Sequence, residues 1–194
     1  MSKTYRIIVA THKRFQMPED KDLYIPIQVG SEGKEDLGYQ PDNQGVHISH
    51  LNPYYCELTG LYWAWKNLEC DYLGLVHYRR YFTSKRHSYS EAISMDDIIL
   101  SKSEVKNLMS NYDVIVPKKR KYYIETLYSH YAHTHDAKHL DMTRQIISEI
   151  SPEYIETFDS IMKQRSGYMF NMFIMSKENV AAYCEWLFPI VDEI

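Results

Sequence analysis

Residues 71–82 have the sequence DYLGLVHYRRYF, and this segment decides how the chain is interpreted. Its first half is apolar, which predicts a buried strand, and its second half is basic and aromatic. If the strand continues through the basic half, alternation directs His77 and Arg79 to one face and Tyr78 and Arg80 to the other. Two adjacent arginines at a strand end could donate paired hydrogen bonds to a diphosphate, or could simply pair with surface carboxylates.

Strand and helix patterns alternate on both sides of this segment. Strands are expected at residues 5–11, 24–30, 71–82, 112–117 and 168–175. Helices are expected at residues 52–69, 94–110, 124–150 (in two pieces), 151–163 and from 176 onward. Pro26 pushes the second strand towards a sheet edge. The alternation predicts an α/β fold with a mostly parallel central sheet flanked by helices.

Polar strand ends are of interest because ligands of parallel sheets bind beyond the carboxyl ends of the strands. The first strand ends in Thr11, His12 and Lys13, which could hold a nucleotide base or phosphate, or form a plain basic turn. The second strand precedes a polar loop at residues 31–45, whose length is typical of a functional or a disordered loop. Asp42 and Asn43 in this loop are typical of turns and could also bond a sugar hydroxyl.

The helix expected at residues 52–69 begins with Asn52 and Pro53, a good cap followed by a residue suited to the first turn. Near that end it carries Glu57 and Thr59. A carboxylate in a helix otherwise rich in Tyr and Trp favours a specific partner. Further on, the basic run at residues 118–121 is expected to be a solvated turn that could attract an anionic headgroup.

Four histidines, His130, His133, His135 and His139, precede Asp141. They could bind a metal, as in a metal-dependent hydrolase, or a His–Asp pair could do acid–base work. No HExxH motif or cysteine spacing typical of zinc sites is present, so metal binding is the weaker alternative. The sequence is interpreted as lacking a DxD triplet, the acidic element with which many nucleotide-sugar transferases hold Mg²⁺ or Mn²⁺. Either ion therefore stays unassigned.

Composition limits the class of protein further. The length of 194 residues suits one domain, and the net charge of -4 gives no case for nucleic-acid binding. Three widely spaced cysteines without a CxxC pair indicate reduced thiols in a cytoplasmic protein. No apolar run is long enough to cross a bilayer. The lack of GxGxxG, P-loop and GxSxG motifs counts against dehydrogenases, NTPases and α/β-hydrolases.

Six segments resemble one bacterial protein family. They are ATHK at 10–13, DNQGVHISHLNPYYCELTGLYWAWKN at 42–67, YLGLVHYRRYF at 72–82, HLDMTRQII at 139–147, SPEY at 151–154 and NMFIM at 171–175. The family is that of capsular or exopolysaccharide synthesis proteins, long grouped as a domain of unknown function and regarded as glycosyltransferases. The resemblance predicts one nucleotide-sugar-binding glycosyltransferase domain over residues 1–194. Because family members usually continue further, we expect a C-terminal truncation.

The resemblance also implies a GT-A-like fold and a UDP-sugar donor, in a galactopyranose or galactofuranose form. Carried over by position, the nucleotide-sugar-binding residues are Thr11, His12, Lys13, Asp42, Asn43, Asn52, Thr59, His77, Arg79, Arg80 and Asn171. The candidate catalytic bases are Asp141, Glu57 and His135.

Together these features predict a hexosyltransferase that moves a sugar to a polysaccharide or lipid-linked oligosaccharide acceptor. Positive side chains would stabilise the leaving diphosphate, and a base would deprotonate the acceptor hydroxyl. A glycolipid product would require peripheral contact with the inner face of the membrane. The alternative from another class is a non-catalytic nucleotide- or glycan-binding module of the polysaccharide machinery.

Overall fold

The computed structural model describes residues 3–84 and 94–194, which form two compact units. The first unit consists of the described residues up to Val116 together with Asn171–Ala181. The second consists of Pro117–Phe170 and Ala182–Ile194. The sequence predicts a single domain, and whether the two units act as one domain stays a prediction.

Strands and helices alternate through the described residues. The strands are β1 (Tyr5–Thr11), β2 (Tyr24–Gln28), β3 (Gln40–Pro41), β4 (Tyr72–His77), β5 (Val114–Ile115), β6 (Arg120–Lys121), β7 (Ser166–Gly167) and β8 (Phe173–Ser176). The helices are α1 (Asn52–Tyr55), α2 (Leu58–Asn67), α3 (Met95–Ile98), α4 (Lys102–Met109), α5 (Leu127–Thr134), α6 (Lys138–Ile150), α7 (Ile155–Met162) and α8 (Lys177–Asp192). Short 3₁₀ turns lie at Ser49–Leu51 and Pro152–Tyr154.

Six strands of the first unit form one sheet in the order β3-β2-β1-β4-β8-β5. Strand β1 pairs in parallel with β2 and β4, and β2 pairs in parallel with β3. Strand β8 is antiparallel to its neighbours β4 and β5. The predicted α/β fold with a mostly parallel sheet is therefore confirmed. The chain continues from β3 to β4 on the opposite side of β1, which makes the carboxyl ends of β1 and β4 the switch point of the sheet.

Apolar side chains cover both faces of the two central strands. Ile7, Ile8 and Val9 of β1 and Leu75 and Val76 of β4 have at most 1% of their surface exposed. Each such side chain contributes about 1.5–3 kcal/mol by its burial. A strand buried on both faces has a continuous apolar sequence, and for that reason β1 begins and ends where the sequence predicts.

The other four predicted strands have different limits, and β4 ends at His77 although a strand is expected up to residue 82. The strand expected at 24–30 ends at Gln28, and the one expected at 168–175 begins at Phe173. The segment at 112–117 is not a buried strand: it contributes only the short edge strand β5, in which Val114 is 46% exposed. Among the described residues, β3 pairs with β2 only at Ile27 and Gln28, so β2 is a sheet edge at Pro26, as predicted.

Two predicted helices are interrupted. Cys56, with φ of +49° in the left-handed region, separates α1 from α2, and Leu51 rather than Asn52 is the N-cap of α1. The helix expected at 94–110 forms two pieces, α3 and α4. A capping box begins the second, since the Glu104 N–H donates to Ser101 Oγ and the Ser101 N–H donates to the Glu104 carboxylate.

The second unit contains the β6–β7 pair, α5, α6, α7 and the C-terminal part of α8. The region at 124–150 forms two helical pieces, as predicted. Ile146, Ile147 and Ile190 are buried together, and Trp186 packs against them, so the apolar segment at 186–191 packs within this unit. The basic run at 118–121 is not a plain turn, because part of it forms strand β6. Across the described ranges, no helix combines the length and apolar character that a membrane span requires.

Candidate active site

A cleft of about 590 Å³ opens at the carboxyl ends of β1 and β4, where the sheet topology predicts a ligand site. Its lining residues are Ala10, Thr11, His12, Val29, Lys34, Asn52, Cys56, Glu57, His77, Tyr78, Arg79 and Arg80. Seven of the predicted site residues are therefore brought together: Thr11, His12, Asn52, Glu57, His77, Arg79 and Arg80. We call this the switch-point cleft.

A tight turn, not a continued strand, presents the two arginines. Strand β4 ends at His77, whose N–H donates to the Arg80 carbonyl at 3.2 Å, while the Arg80 N–H donates to the His77 carbonyl at 2.8 Å. The prediction that alternation sends His77 and Arg79 to one face is therefore wrong, because alternation requires extended backbone. The turn instead exposes Arg79 and Arg80 next to each other at the cleft.

The buried ring of Tyr78 supports the cationic side chains around the turn. Its side chain is 6% exposed, and the rings of His12 and Phe15 pack edge-on against it with centroids 5.4 and 5.2 Å away. The Arg79 guanidinium lies 5.0 Å from the ring centroid and the Lys13 ammonium 5.5 Å. Cations are attracted to the face of an aromatic ring, so Tyr78 helps to hold positive charge at this end of the sheet.

The charge of the switch-point cleft suits an anionic ligand. Lys34, Arg79 and Arg80 contribute positive charge, and Glu57 is the carboxylate among the described lining residues. Arginine presents a planar fork of donors that matches phosphate oxygens. The Thr11 hydroxyl is less available to a ligand than predicted, because it already donates a hydrogen bond to the Lys13 carbonyl at 2.6 Å. The end of β1 is thus a closed turn that orders its neighbours.

Asp42 is a structural residue that does not belong to the cleft lining. Its side chain is fully buried, and its oxygens accept hydrogen bonds from the Gly30 and Ser31 N–H groups and from the hydroxyls of Ser31, Ser49 and Thr59. The prediction that Asp42 and Thr59 contact a sugar needs correction, because both are buried and engaged with each other. Asn43 lies half-buried in the turn that follows β3, outside the cleft lining.

Burial raises the pKa of the Asp42 carboxyl, since a charged group loses hydration inside a protein. The donors from Ser31, Ser49, Thr59 and Gly30 outweigh this effect and hold the pKa below its usual value. Asp42 therefore stays ionised. In that form it joins the turn after β2 to the 3₁₀ turn that precedes α1.

Asn52 packs directly against the backbone of Gly30. A Cβ atom at Gly30 would lie 2.2 Å from Asn52 Oδ1, and Gly30 has φ of +60°, so both space and conformation require glycine here. The Asn52 amide donates to the Cys56 carbonyl at 2.7 Å and lies 3.3 Å from Thr59 Oγ1. These contacts fix the helix break at Cys56 and bring Glu57 to the cleft.

Glu57 accepts a hydrogen bond from the Asn171 amide at 2.9 Å, although the two residues are 114 positions apart in sequence. Asn171 precedes β8 and has φ of +50°, a conformation that Asn tolerates better than most residues. The structure therefore joins a predicted base to a predicted sugar contact. Their roles towards a ligand stay predictions.

Asp141 and His135, the other predicted bases, belong to the second unit. Asp141 accepts a hydrogen bond from the Tyr128 hydroxyl at 2.9 Å, which raises the pKa of Tyr128. The His135 ring lies 4.8 Å from the Tyr131 ring, between centroids. Their catalytic roles stay predictions.

Two of the four clustered histidines share one carboxylate. His130 Nδ1 lies 2.6 Å and His133 Nδ1 2.5 Å from different oxygens of Glu125, which lowers the pKa of Glu125. In the described part of the chain, the group whose three ligand atoms lie close enough to share a metal contains none of these residues. This arrangement gives no support to the hydrolase alternative.

One DxD triplet is present, contrary to the expectation, at Asp20-Lys21-Asp22. Asp20 accepts hydrogen bonds from the N–H groups of Asp22 and Leu23 at 3.1 and 3.0 Å, so it organises the turn before β2. Asp22 lines a different cleft, of about 810 Å³, with Tyr5 at the amino end of β1. Because the switch-point cleft lies at the opposite end of these strands, the triplet does not contribute to it.

Sequence reasoning missed several lining residues. Lys34 comes from the loop at 31–45, whose length signals function without indicating which side chain is involved. Tyr78 lies within the basic segment, but its support of neighbouring cations depends on the turn. Cys56 is exposed at the cleft because of the helix break, and both burial and nearby Glu57 raise the pKa of its thiol.

Comparisons with known proteins bear on the family and the fold of the chain. The family model described as "Domain of unknown function (DUF4422)" matches residues 6–194. The fold is also similar to the apo structure of WbbM, a bifunctional glycosyltransferase, with a TM-score of 0.84 and 29% sequence identity. That match covers 97% of this chain and 36% of the WbbM chain. No curated protein matches the sequence.

Proposed function

The chain belongs to the family described as a domain of unknown function (DUF4422), and we propose that it is a glycosyltransferase whose donor site is the switch-point cleft. Similarity to part of a bifunctional glycosyltransferase supports a glycosyltransferase-like role but does not identify the donor or the acceptor. The observation that carries the proposal is the pair Arg79 and Arg80 on a tight turn, at the strand ends where an α/β sheet binds its ligand.

The donor in this proposal is a nucleotide diphosphate sugar, with UDP-galactose in its pyranose or furanose form as the first choice. The diphosphate would lie against Arg79, Arg80 and Lys34, which provide charge and forked donors. The fold would then be of the GT-A type. Hexosyl transfer in capsular or exopolysaccharide synthesis is the corresponding role.

The transfer reaction needs positive charge at the leaving diphosphate and a base that accepts the acceptor proton. The bond between the anomeric carbon and the diphosphate oxygen breaks, a bond to the acceptor oxygen forms, and the acceptor proton goes to a base. Fixed positive charge at the leaving diphosphate lowers the barrier because it is already oriented where charge develops. Among the described lining residues, Glu57 is the carboxylate that could accept the proton, with Asn171 holding its orientation.

A screen of UDP-, GDP- and CDP-sugars by thermal shift, with and without Mn²⁺, tests the proposal. We expect a UDP-sugar to raise the melting temperature and to release UDP when an oligosaccharide acceptor is supplied. Binding without any turnover, in a full-length protein, would favour the alternative of a non-catalytic binding module. Absence of binding to every nucleotide sugar would contradict both.

The acceptor is proposed to be a polysaccharide or lipid-linked oligosaccharide at the cytoplasmic face of a membrane. The second unit offers a surface suited to such contact, which we call the basic segment, consisting of residues 118–124. Its Tyr123 and Ile124 are 80% and 86% exposed, and the Lys119 ammonium lies 5.1 Å from the ring of the exposed Tyr168. Basic and apolar side chains together favour an anionic lipid surface.

We expect the protein to float with vesicles that contain anionic phospholipid and not with neutral ones. Replacing Lys119 and Arg120 by alanine should weaken this binding about tenfold or more, because each basic residue near an anionic surface is worth about 1 kcal/mol. The matched control is Lys102→Ala/Lys106→Ala, which removes the same charge from α4. Equal binding by the two double variants would contradict the assignment of this surface.

A further inference from the structure

A second cluster of side chains lies on the loops next to the switch-point cleft. One ligand atom each of Glu32, His47 and His50 lies within 4.8 Å of the others. His47 is half-buried, whereas Glu32 and His50 are exposed, and His50 Nδ1 lies 4.0 Å from a Glu32 oxygen. The three residues come from two segments that are 15 positions apart or more, so the fold, not local sequence, brings them together.

The buried Asp42 holds both segments in place. It accepts hydrogen bonds from Ser31, next to Glu32, and from Ser49, between His47 and His50. The Glu32 N–H also donates to Ser49 Oγ at 3.3 Å. A buried charged network thus holds the two segments that carry the ligand atoms near each other. Such support reduces the ordering that ligand binding would otherwise require.

We propose that Glu32, His47 and His50 form a binding site for a divalent transition metal, with Zn²⁺ as the best fit. Two imidazoles and one carboxylate are a ligand set found in zinc proteins, whereas Mg²⁺ and Ca²⁺ prefer oxygen ligands alone. Three protein ligands leave a further coordination position open to water or to an anion.

The proposed metal site is next to the switch-point cleft, because its ligands are close in sequence to residues that line the cleft. Lys34 follows Glu32 by two residues and Asn52 follows His50 by two residues, and both line the cleft. The Lys34 ammonium lies 3.5 Å from Asn52 Oδ1, so the two ligand-bearing loops meet there. The metal site goes beyond the proposed transferase activity and does not depend on it.

Calorimetric titration of EDTA-treated protein with ZnCl₂ tests this proposal, in buffer at pH 7.5 without a nucleotide sugar. We expect one Zn²⁺ per chain and no heat of binding with MgCl₂. His47→Gln, His50→Gln and Glu32→Gln should each weaken binding more than about tenfold, since even loss of an outer-shell partner costs about 10–100-fold.

The control is His130→Gln/His133→Gln, which removes the other pair of carboxylate-linked histidines and should leave this affinity unchanged. Thermal unfolding of each variant checks that it is folded. If His47→Gln does not fold, His50→Gln suffices for the test, because His50 is exposed. Co²⁺ absorption gives a second readout, because imidazole ligation changes the visible spectrum. The proposal is overturned if Zn²⁺ fails to bind the parent, or if affinity survives His50→Gln and falls in the control.

Discussion

Replacing Asp42 by alanine is expected to lower the free energy of unfolding by about 3–5 kcal/mol. The carboxylate is fully buried and accepts five hydrogen bonds, two of them from backbone N–H groups that have a fixed direction. A buried donor left without its acceptor costs about 1–3 kcal/mol. Hydroxyls can rotate to other acceptors, but the Gly30 and Ser31 N–H groups cannot. Urea denaturation followed by circular dichroism measures the difference.

Two variants make this result specific to the buried carboxylate. Asp42→Asn keeps the shape and one acceptor oxygen, so we expect an intermediate loss. Asp36→Ala removes an exposed carboxylate of the same loop, which accepts one hydrogen bond from the Gly38 N–H at 2.7 Å, and should cost less than about 1 kcal/mol. Equal stability of Asp42→Ala and Asp36→Ala would show that Asp42 does not organise these loops.

The stability that Asp42 contributes should also depend on pH. Its hydrogen bonds lower the pKa in the folded protein relative to the unfolded chain, whose ordinary value is 3.8. A depressed carboxyl pKa gives stability that is complete above the ordinary pKa and is lost as the pH falls through the folded value. The difference in stability between the parent protein and Asp42→Asn should therefore be constant from pH 7 to about pH 5 and shrink below pH 4.

The sequence predicts the central part of the fold well. Strands β1 and β4 have continuous apolar runs because both faces are covered, and their polar ends then mark the ligand side of a parallel sheet. Sequence patterns identify His12, His77, Arg79 and Arg80 for this reason, whereas Glu57 is identified as a carboxylate in an aromatic-rich helix. The sequence indicates which end of each strand is polar. The sheet topology, which the structure shows, makes those ends neighbours.

The remaining features depend on contacts between distant residues. Asp42 is typical of a surface turn, and only the convergence of donors from Gly30, Ser49 and Thr59 makes it a buried structural residue. The helix break at Cys56 coincides with a hydrogen bond from Asn52 to the Cys56 carbonyl and with the packing of Asn52 on Gly30, which helix propensity does not record. The grouping of Glu32 with His47 and His50 also depends on contacts between distant residues, because Asp42 joins the two loops that carry them.

The double variant Arg79→Ala/Arg80→Ala is expected to lower kcat/KM for the UDP-sugar about 100-fold and to weaken UDP binding by a similar factor. A hydrogen bond to a charged group contributes about 1.5–3 kcal/mol, which is about tenfold or more in affinity. Both guanidinium groups are exposed, so the lower end of that range applies to each. Calorimetric titration with UDP and an assay of UDP release measure the two quantities.

The matched control is again Lys102→Ala/Lys106→Ala, which loses the same two charges far along the chain from the turn. If long-range attraction alone draws the donor to the protein, both double variants should weaken UDP binding alike, and the difference should disappear at high salt. If the arginines contact the diphosphate, only their removal weakens binding, and Arg79→Lys/Arg80→Lys recovers part of it, because lysine keeps the charge without the fork. UDP binding by Arg79→Ala/Arg80→Ala as tight as that of the parent would mean that the switch-point cleft is not the donor site. Arg79, Arg80 and Lys34 line the same cleft, and this common position argues for the contact.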